Sequence, residues 1–275
     1  MKKLLRNFAF TSGLLLTVVL VLVAIAAPLL APFDPFAQDT SRRLEAPSKQ
    51  HPLGLDDLGR DVLSRIIWGA RVSLRVGFSV VILASLVGVS LGAVSGYFGG
   101  WTDTLVMRLT DILLAFPGIL LAIALVAVLG PSLNNVILAL AIIGWVGYAR
   151  LVRGQVLKVR EMEYVTAAKA LGAKAPRVIL RHVLPNVINP VIVMATLGLA
   201  GAILSEAALS FLGLGVQAPT PSWGAMLTSG RRYLGLANHL AIYPGIAIML
   251  AVMGLNFLGD GLIDALDPKY RKLVE

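Results

Sequence analysis

The chain has 275 residues, 57% of them apolar and only 14% charged, where an ordinary soluble domain is roughly a quarter charged. A soluble fold of this length has no interior large enough for so much apolar surface, and a disordered chain needs the opposite balance of low hydrophobicity and high charge. The absence of cysteine excludes disulfide scaffolds, thiolate metal sites and cysteine nucleophiles, and the net charge of +9 has to be judged by where the cations lie.

The charges leave six neutral runs: Asn7–Phe33, Val76–Thr102, Ile112–Ala149, Val183–Ser205, Ala207–Gly230 and Tyr233–Gly259. About 20 helical residues, at about 1.5 Å each, cross a hydrocarbon core of about 30 Å. The first run predicts a span over Phe8–Leu30. Lys2, Lys3 and Arg6 before it and Ala24-Ile25-Ala26 within it also describe a cleavable secretory signal, but the apolar stretch is longer than the usual core of roughly 7–15 residues. Cleavage would leave the other helices oriented as before. The second span, Val72–Tyr97, carries Ala84, Gly88, Gly92 and Gly96 at every fourth position. Such a seam admits another helix backbone in lipid, whether from the same chain or from a second copy.

The third run, at 38 residues, is too long for one crossing and is interrupted by Gly130-Pro131-Ser132 and Asn134-Asn135, a turn signal. It predicts a hairpin of spans Leu105–Leu129 and Leu133–Ala149. Within the first of these, Arg108 and Asp111 have the spacing of a local ion pair, and Pro117 removes a backbone donor and predicts a kink. A fifth span covers Val187–Leu204. After Glu206 only Ala207–Val216 is strongly apolar before Pro219, Pro221 and Trp223, so this part reads as a short re-entrant or interfacial helix plus loop. Leu240–Leu262 is the sixth span.

Orientation follows from the Lys/Arg bias of the loops. With the N-terminus inside, the cytoplasmic side collects Lys2, Lys3, Arg6, Arg108, eight cations from Arg150 to Arg181, and Lys269, Arg271 and Lys272, which is 15 of the 24. Seven of the outer nine lie in 31–75, accompanied by Asp34, Asp39, Glu45, Asp56, Asp57 and Asp61. Both termini are expected in the cytoplasm, and the basic excess reads as a membrane signature with no nucleic-acid partner.

The cytoplasmic loop 153–186 holds the most specific pattern. Glu161–Leu171 consists of good helix formers, Gly172 stands where a left-handed cap belongs, and Pro176 opens a second helix that Pro185 is expected to limit. Two short helices then meet at an elbow whose Ala167, Ala168 and Ala170 are small enough for a partner's surface to press against the backbone.

At these residues the chain resembles the permease subunits of bacterial ABC importers. Thr166-Ala167-Ala168, Gly172 and Leu184-Pro185 are similar to that family's "EAA" coupling loop, which docks on a cytoplasmic ATPase subunit. Thr166 replaces a typical Glu and His182 a typical aliphatic residue. Both departures, with Tyr164-Val165 and Val183-Leu184-Pro185-Asn186, resemble the dipeptide/oligopeptide/nickel branch. So do the stretches from His51-Pro52-Leu53-Gly54-Leu55-Asp56 through Gly59-Arg60-Asp61-Val62 to Ser64-Arg65, Leu204–Gly213, Ser222-Trp223-Gly224 and Asp260–Pro268. The short outer loop points to the C-type member of the permease pair.

The resemblance implies an all-α integral membrane protein with six transmembrane helices, both termini cytoplasmic, in the ABC importer permease fold. Its parts would be an N-terminal helix (1–30), an extracytoplasmic loop (31–71) and a core of five helices (72–275) that includes the coupling loop 153–186. It further implies ATPase-coupling roles for Glu163, Thr166, Ala167, Ala168, Gly172, Leu184 and Pro185. The expected partners are a second permease, two cytoplasmic ATPase subunits, an extracytoplasmic solute-binding protein and the lipid bilayer of the bacterial inner membrane. The solute would be a short peptide or a related small molecule such as nickel or glutathione.

Glu206 is an isolated carboxylate in neutral sequence, which by default suggests a pathway or gating role. If the fifth span ends near Leu204, Ser205 instead caps a new helix and Glu206 faces its first turn. Asn256 and Asp260, with Asp264, share one face of the sixth span and either line a vestibule or form a solvated helix end. His51, His182 and His239 are far apart in sequence, so neither a metal site nor a cofactor is expected. No G-x4-G-K-[ST] loop is present, so any ATP dependence must come from other subunits and the chain is not itself expected to be an enzyme. The alternative reading, a secondary transporter driven by an ion gradient through Glu206 or Asp260, lacks the duplicated halves usual in such folds.

Overall fold

The structure, a computed structural model, describes residues 8–266. The expectations for Lys2, Lys3, Arg6, Lys269, Arg271, Lys272 and the Asp267-Pro268 end of the last motif lie outside the described residues. Those residues form helices and no strands, with one isolated bridge between Leu55 and Asp61. In chain order the helices are α1 (Phe8–Ile25), α2 (Ala27–Leu30), α3 (Val62–Phe98), α4 (Gly100–Leu114), α5 (Gly118–Leu129), α6 (Leu133–Val159), α7 (Glu163–Ala170), α8 (Ala175–Val178), α9 (Leu184–Phe211), α10 (Trp223–Arg231) and α11 (His239–Leu266). Five spans are long and apolar enough to cross a membrane, and α4 with α5 makes a sixth if the bent pair counts as one crossing.

The second span begins earlier than its neutral run implies, at Val62. Asp61 accepts a hydrogen bond from the Ser64 amide at 2.8 Å, a helix N-cap, and the arginines beyond it interrupt the neutral run without interrupting the helix. Arg65 is buried and donates to the Pro35 carbonyl at 2.9 Å. At 37 residues, α3 is about 55 Å long and overshoots the hydrocarbon core. The third span is not kinked but broken, with α4 and α5 meeting at 87° just before Gly118. Pro117 ends the first ladder and stands at the N-cap of the second.

The small-residue seam of α3 packs within the chain. A Cβ on Gly88 would meet the Trp145 carbonyl oxygen at 2.4 Å, and one on Gly92 the Ala149 carbonyl oxygen at 2.5 Å. Thus α3 and α6 lie backbone against backbone. A similar contact seats α1 on α11, where a Cβ on Gly13 would strike the backbone of Leu258 at 2.3 Å and one on Gly261 the side chain of Phe10 at 2.5 Å. Around these pairs the buried apolar residues gather in two main cores, one along α3, α6 and the elbow, the other among α1, α3, α9 and α11.

Two further expectations are corrected. Asp111 pairs with Arg150 of α6 rather than with Arg108, three residues earlier on its own helix, so the bond ties two helices together. The fifth span does not stop at Leu204. It continues through Glu206 to Phe211, because Ser205-Glu206-Ala207 contains no helix-terminating residue. The short helix after it is α10, which starts at the Ser222 N-cap.

Candidate functional site

The elbow is built on valines. Val165 of α7, Val178 of α8, Val183 and Val187 are all fully buried and join the same core as Val152 and Val156 of α6. Opposite that seat, Glu163, Thr166, Ala167 and Ala170 are exposed, Ala168 is half-buried, and Leu171 and Leu180 stand in the open at 89% and 64% exposure. The surface therefore sets small alanines and two exposed leucines among charged side chains, Glu163, Lys169, Lys174, Arg177 and Arg181, and is seated from beneath on the valines. Gly172 has φ +82°, a left-handed conformation that a side chain resists. There the Ala173 amide donates to the Ala168 carbonyl at 3.0 Å and closes the end of α7.

The second arm differs from expectation. Pro185 does not limit it; α8 runs through a widened turn, Ile179–Val183, into α9, giving one 37-residue helical span over 175–211. Pro185 stands inside this continuous span, and the widened turn just before it accommodates the ring and the missing N–H. Leu184 is half-buried and Pro185 exposed on this continuous arm. Beside the elbow, Arg153 forms a bidentate pair with Asp103, one bond being 2.6 Å, while Ser95 donates to the same carboxylate. Arg160 donates to the Gly96 carbonyl at 2.9 Å. These bonds lock α3, α4 and α6 at the elbow end. The two arginine bonds have no local sequence signal, because their partners lie 50 and 64 positions apart.

Glu206 lies at the other end of α9, about 33 Å from Leu184 by helical rise. It is fully buried and accepts from the Ser210 hydroxyl at 2.6 Å. The first-turn capping expectation therefore fails. Ser210 in turn accepts from the Val216 amide at 3.2 Å, so the carboxylate fastens the segment after α9 to the helix. Asn256 is half-buried and Asp260 exposed on α11, toward the elbow end and away from Glu206. The structure thus brings the elbow residues together and leaves Glu206 apart from Asn256 and Asp260.

At the Glu206 end, segment 31–61 folds over the bundle. His51 pairs with Asp61 at 2.9 Å, Arg60 with Asp56 at 2.7 Å, and the Phe33 amide donates to Ser64 at 3.1 Å. His239 approaches the Leu55 carbonyl at 3.4 Å, so two histidines remote in sequence flank the same turn. Outside the spans, the Ser41 hydroxyl and amide hold Asp39 below the usual carboxylate range, and Arg42 does the same for Glu45.

A family model described as the binding-protein-dependent transport system inner membrane component matches residues 88–272. The chain belongs to that family. A second model, the N-terminal transmembrane domain of oligopeptide transport permease C, matches residues 1–47. The dipeptide transport system permease protein DppC of Alkalihalophilus pseudofirmus is 50% identical over 270 residues, 98% of this chain and 89% of the relative. The glutathione transport system permease protein GsiD of Pectobacterium atrosepticum is 43% identical, covering 98% of this chain and 90% of the relative. In fold, the chain matches one from the MetNI methionine ABC transporter, solved in inward-facing conformations, with a TM-score of 0.56 at 18% identity, over 74% of this chain and 97% of that one. The protein is thus a multi-pass membrane subunit of an ABC-type importer, and the secondary-transporter alternative falls away.

Proposed function

We propose that this permease imports short peptides or a related carboxylate-bearing solute across the bacterial inner membrane, driven by ATP hydrolysis in partner subunits. The observation that carries the reading is the valine-seated elbow, whose outer face exposes alanines among charged side chains and whose second arm is continuous through one helical span with Glu206 near the far end. The two relatives are named for dipeptide and for glutathione transport, and both solutes carry free carboxylates.

In this reading the N-terminus and 153–186 are cytoplasmic and 31–71 faces outward, where a solute-binding protein delivers cargo. The helix 1–30 and the core 72–275 pair with a second permease to enclose the path. Glu163, Thr166, Ala167, Ala168 and Gly172 meet the ATPase, while Leu184 and Pro185 carry its displacement into α9. ATP binding closes two ATPase subunits, the elbow moves with them, and the path opens outward; hydrolysis resets it. Glu206 holds the outer end of α9 as a gate element, and Asn256 and Asp260 line the inner mouth.

Uptake by proteoliposomes tests this. The complete complex is expected to accumulate dipeptide or glutathione only with internal ATP, and this chain alone to accumulate nothing. Accumulation by the chain alone under an ion gradient would overturn the reading.

A further inference from the structure

At the end of the bundle covered by 31–61 lies a cavity of about 720 Å³. Its walls come from segments far apart in sequence: Phe36 and the first third of α3, the turn Pro131–Ser132 at the start of α6, and the stretch from Val216 to Pro221. Arg71 and Arg75, one helical turn apart, both line it, and no carboxylate does. Neither forms an ion pair with another described residue; Arg71 lies over the Trp68 ring at 5.1 Å, and Trp68 meets Phe36 edge-on at 6.0 Å. The N-terminus of the 27-residue α6 forms another wall, and a helix N-terminus carries partial positive charge.

An aromatic-walled space of this size with two cations and no anion suits a small organic anion. We propose that the cavity is a carboxylate-binding antechamber, in which Arg71 and Arg75 hold the free carboxylate of the solute while Trp68 and Phe36 cover its apolar part. This rests on the import reading above. The opposite wall begins at Val216, whose amide is bonded to Ser210 and through it to Glu206, so the site adjoins the outer end of the helix that leads from the elbow.

The test uses the complete reconstituted importer with its binding protein, comparing uptake of L-alanyl-L-alanine and of its C-terminal amide, with reduced glutathione as a second acid probe. Arg71→Gln with Arg75→Gln is expected to lower the acid-to-amide uptake ratio about tenfold or more, the scale of a lost charged hydrogen bond. Arg71→Lys with Arg75→Lys is expected to retain most of it. Equal loss for acid and amide, or no loss, would overturn the site. If the Gln effect vanishes in liposomes without phosphatidylglycerol, the occupant is a lipid headgroup and the proposal fails. If the wild type imports no probe, the peptide-import reading fails while the cavity is still judged by binding. Tryptophan emission of the importer, without binding protein, should then respond to the acids and not the amide, and lose that response in Trp68→Phe. No response would overturn the antechamber.

Discussion

Gly92 and Gly154 both sit inside long helices, yet they do opposite things. A side chain at Gly92 would run into the Ala149 carbonyl oxygen at 2.5 Å, which is backbone and cannot rotate away, whereas nothing lies within 4 Å of a Cβ at Gly154. Gly92→Leu is therefore expected to cost about 1–3 kcal/mol or more through separation of α3 from α6. Gly154→Ala should be neutral or gain up to about 1 kcal/mol of helix propensity. Thermal unfolding of the purified chain in detergent distinguishes the two; equal effects would mean that the seam is not closely packed. The seam itself was legible, because a small residue every fourth position has few other uses in lipid. Its partner was not, since Trp145, Tyr148 and Ala149 announce nothing about which helix they meet.

At the scale of elements, the neutral runs located the five long apolar helices but misjudged their ends wherever charge and helix part company, and the predicted span Leu105–Leu129 is a bent pair. Arg65 and Arg71 interrupt the neutral sequence inside α3, so side-chain charge places the predicted start at Val72, while Asp61 caps the helix well before it. Pro185 cannot donate, which predicts a stop, yet the widened turn Ile179–Val183 before it lets the helix pass through. Glu206 had a legible signal in its spacing from Ser210, which brings the two onto one helical face. The elbow was legible because Gly172 requires a left-handed backbone that few other residues accept. Gly172→Val should cost about 1–2 kcal/mol locally, loosening α7 while Val178 and Val183 keep the second arm seated. Hydrogen exchange is expected to rise in 163–171 and stay unchanged in 184–211. A uniform rise across both would show that the elbow has no independent seat.

For the whole molecule, the account depends on one continuous helical span that begins in the elbow proposed to meet the ATPase and carries a buried carboxylate near its other end, beside a cationic cavity. The family and the two-armed elbow were readable from local motifs; the interhelical ion pairs and the cavity were not, because they arise only when segments distant in sequence meet. Solute moved per ATP hydrolysed tests the central claim most directly, measured for the complete importer with and without Ala168→Trp. The account predicts that the variant complex assembles and hydrolyses ATP while solute per ATP falls about tenfold, within the range of a lost coupling free energy. An unchanged ratio in a complex that still carries the substitution would contradict it.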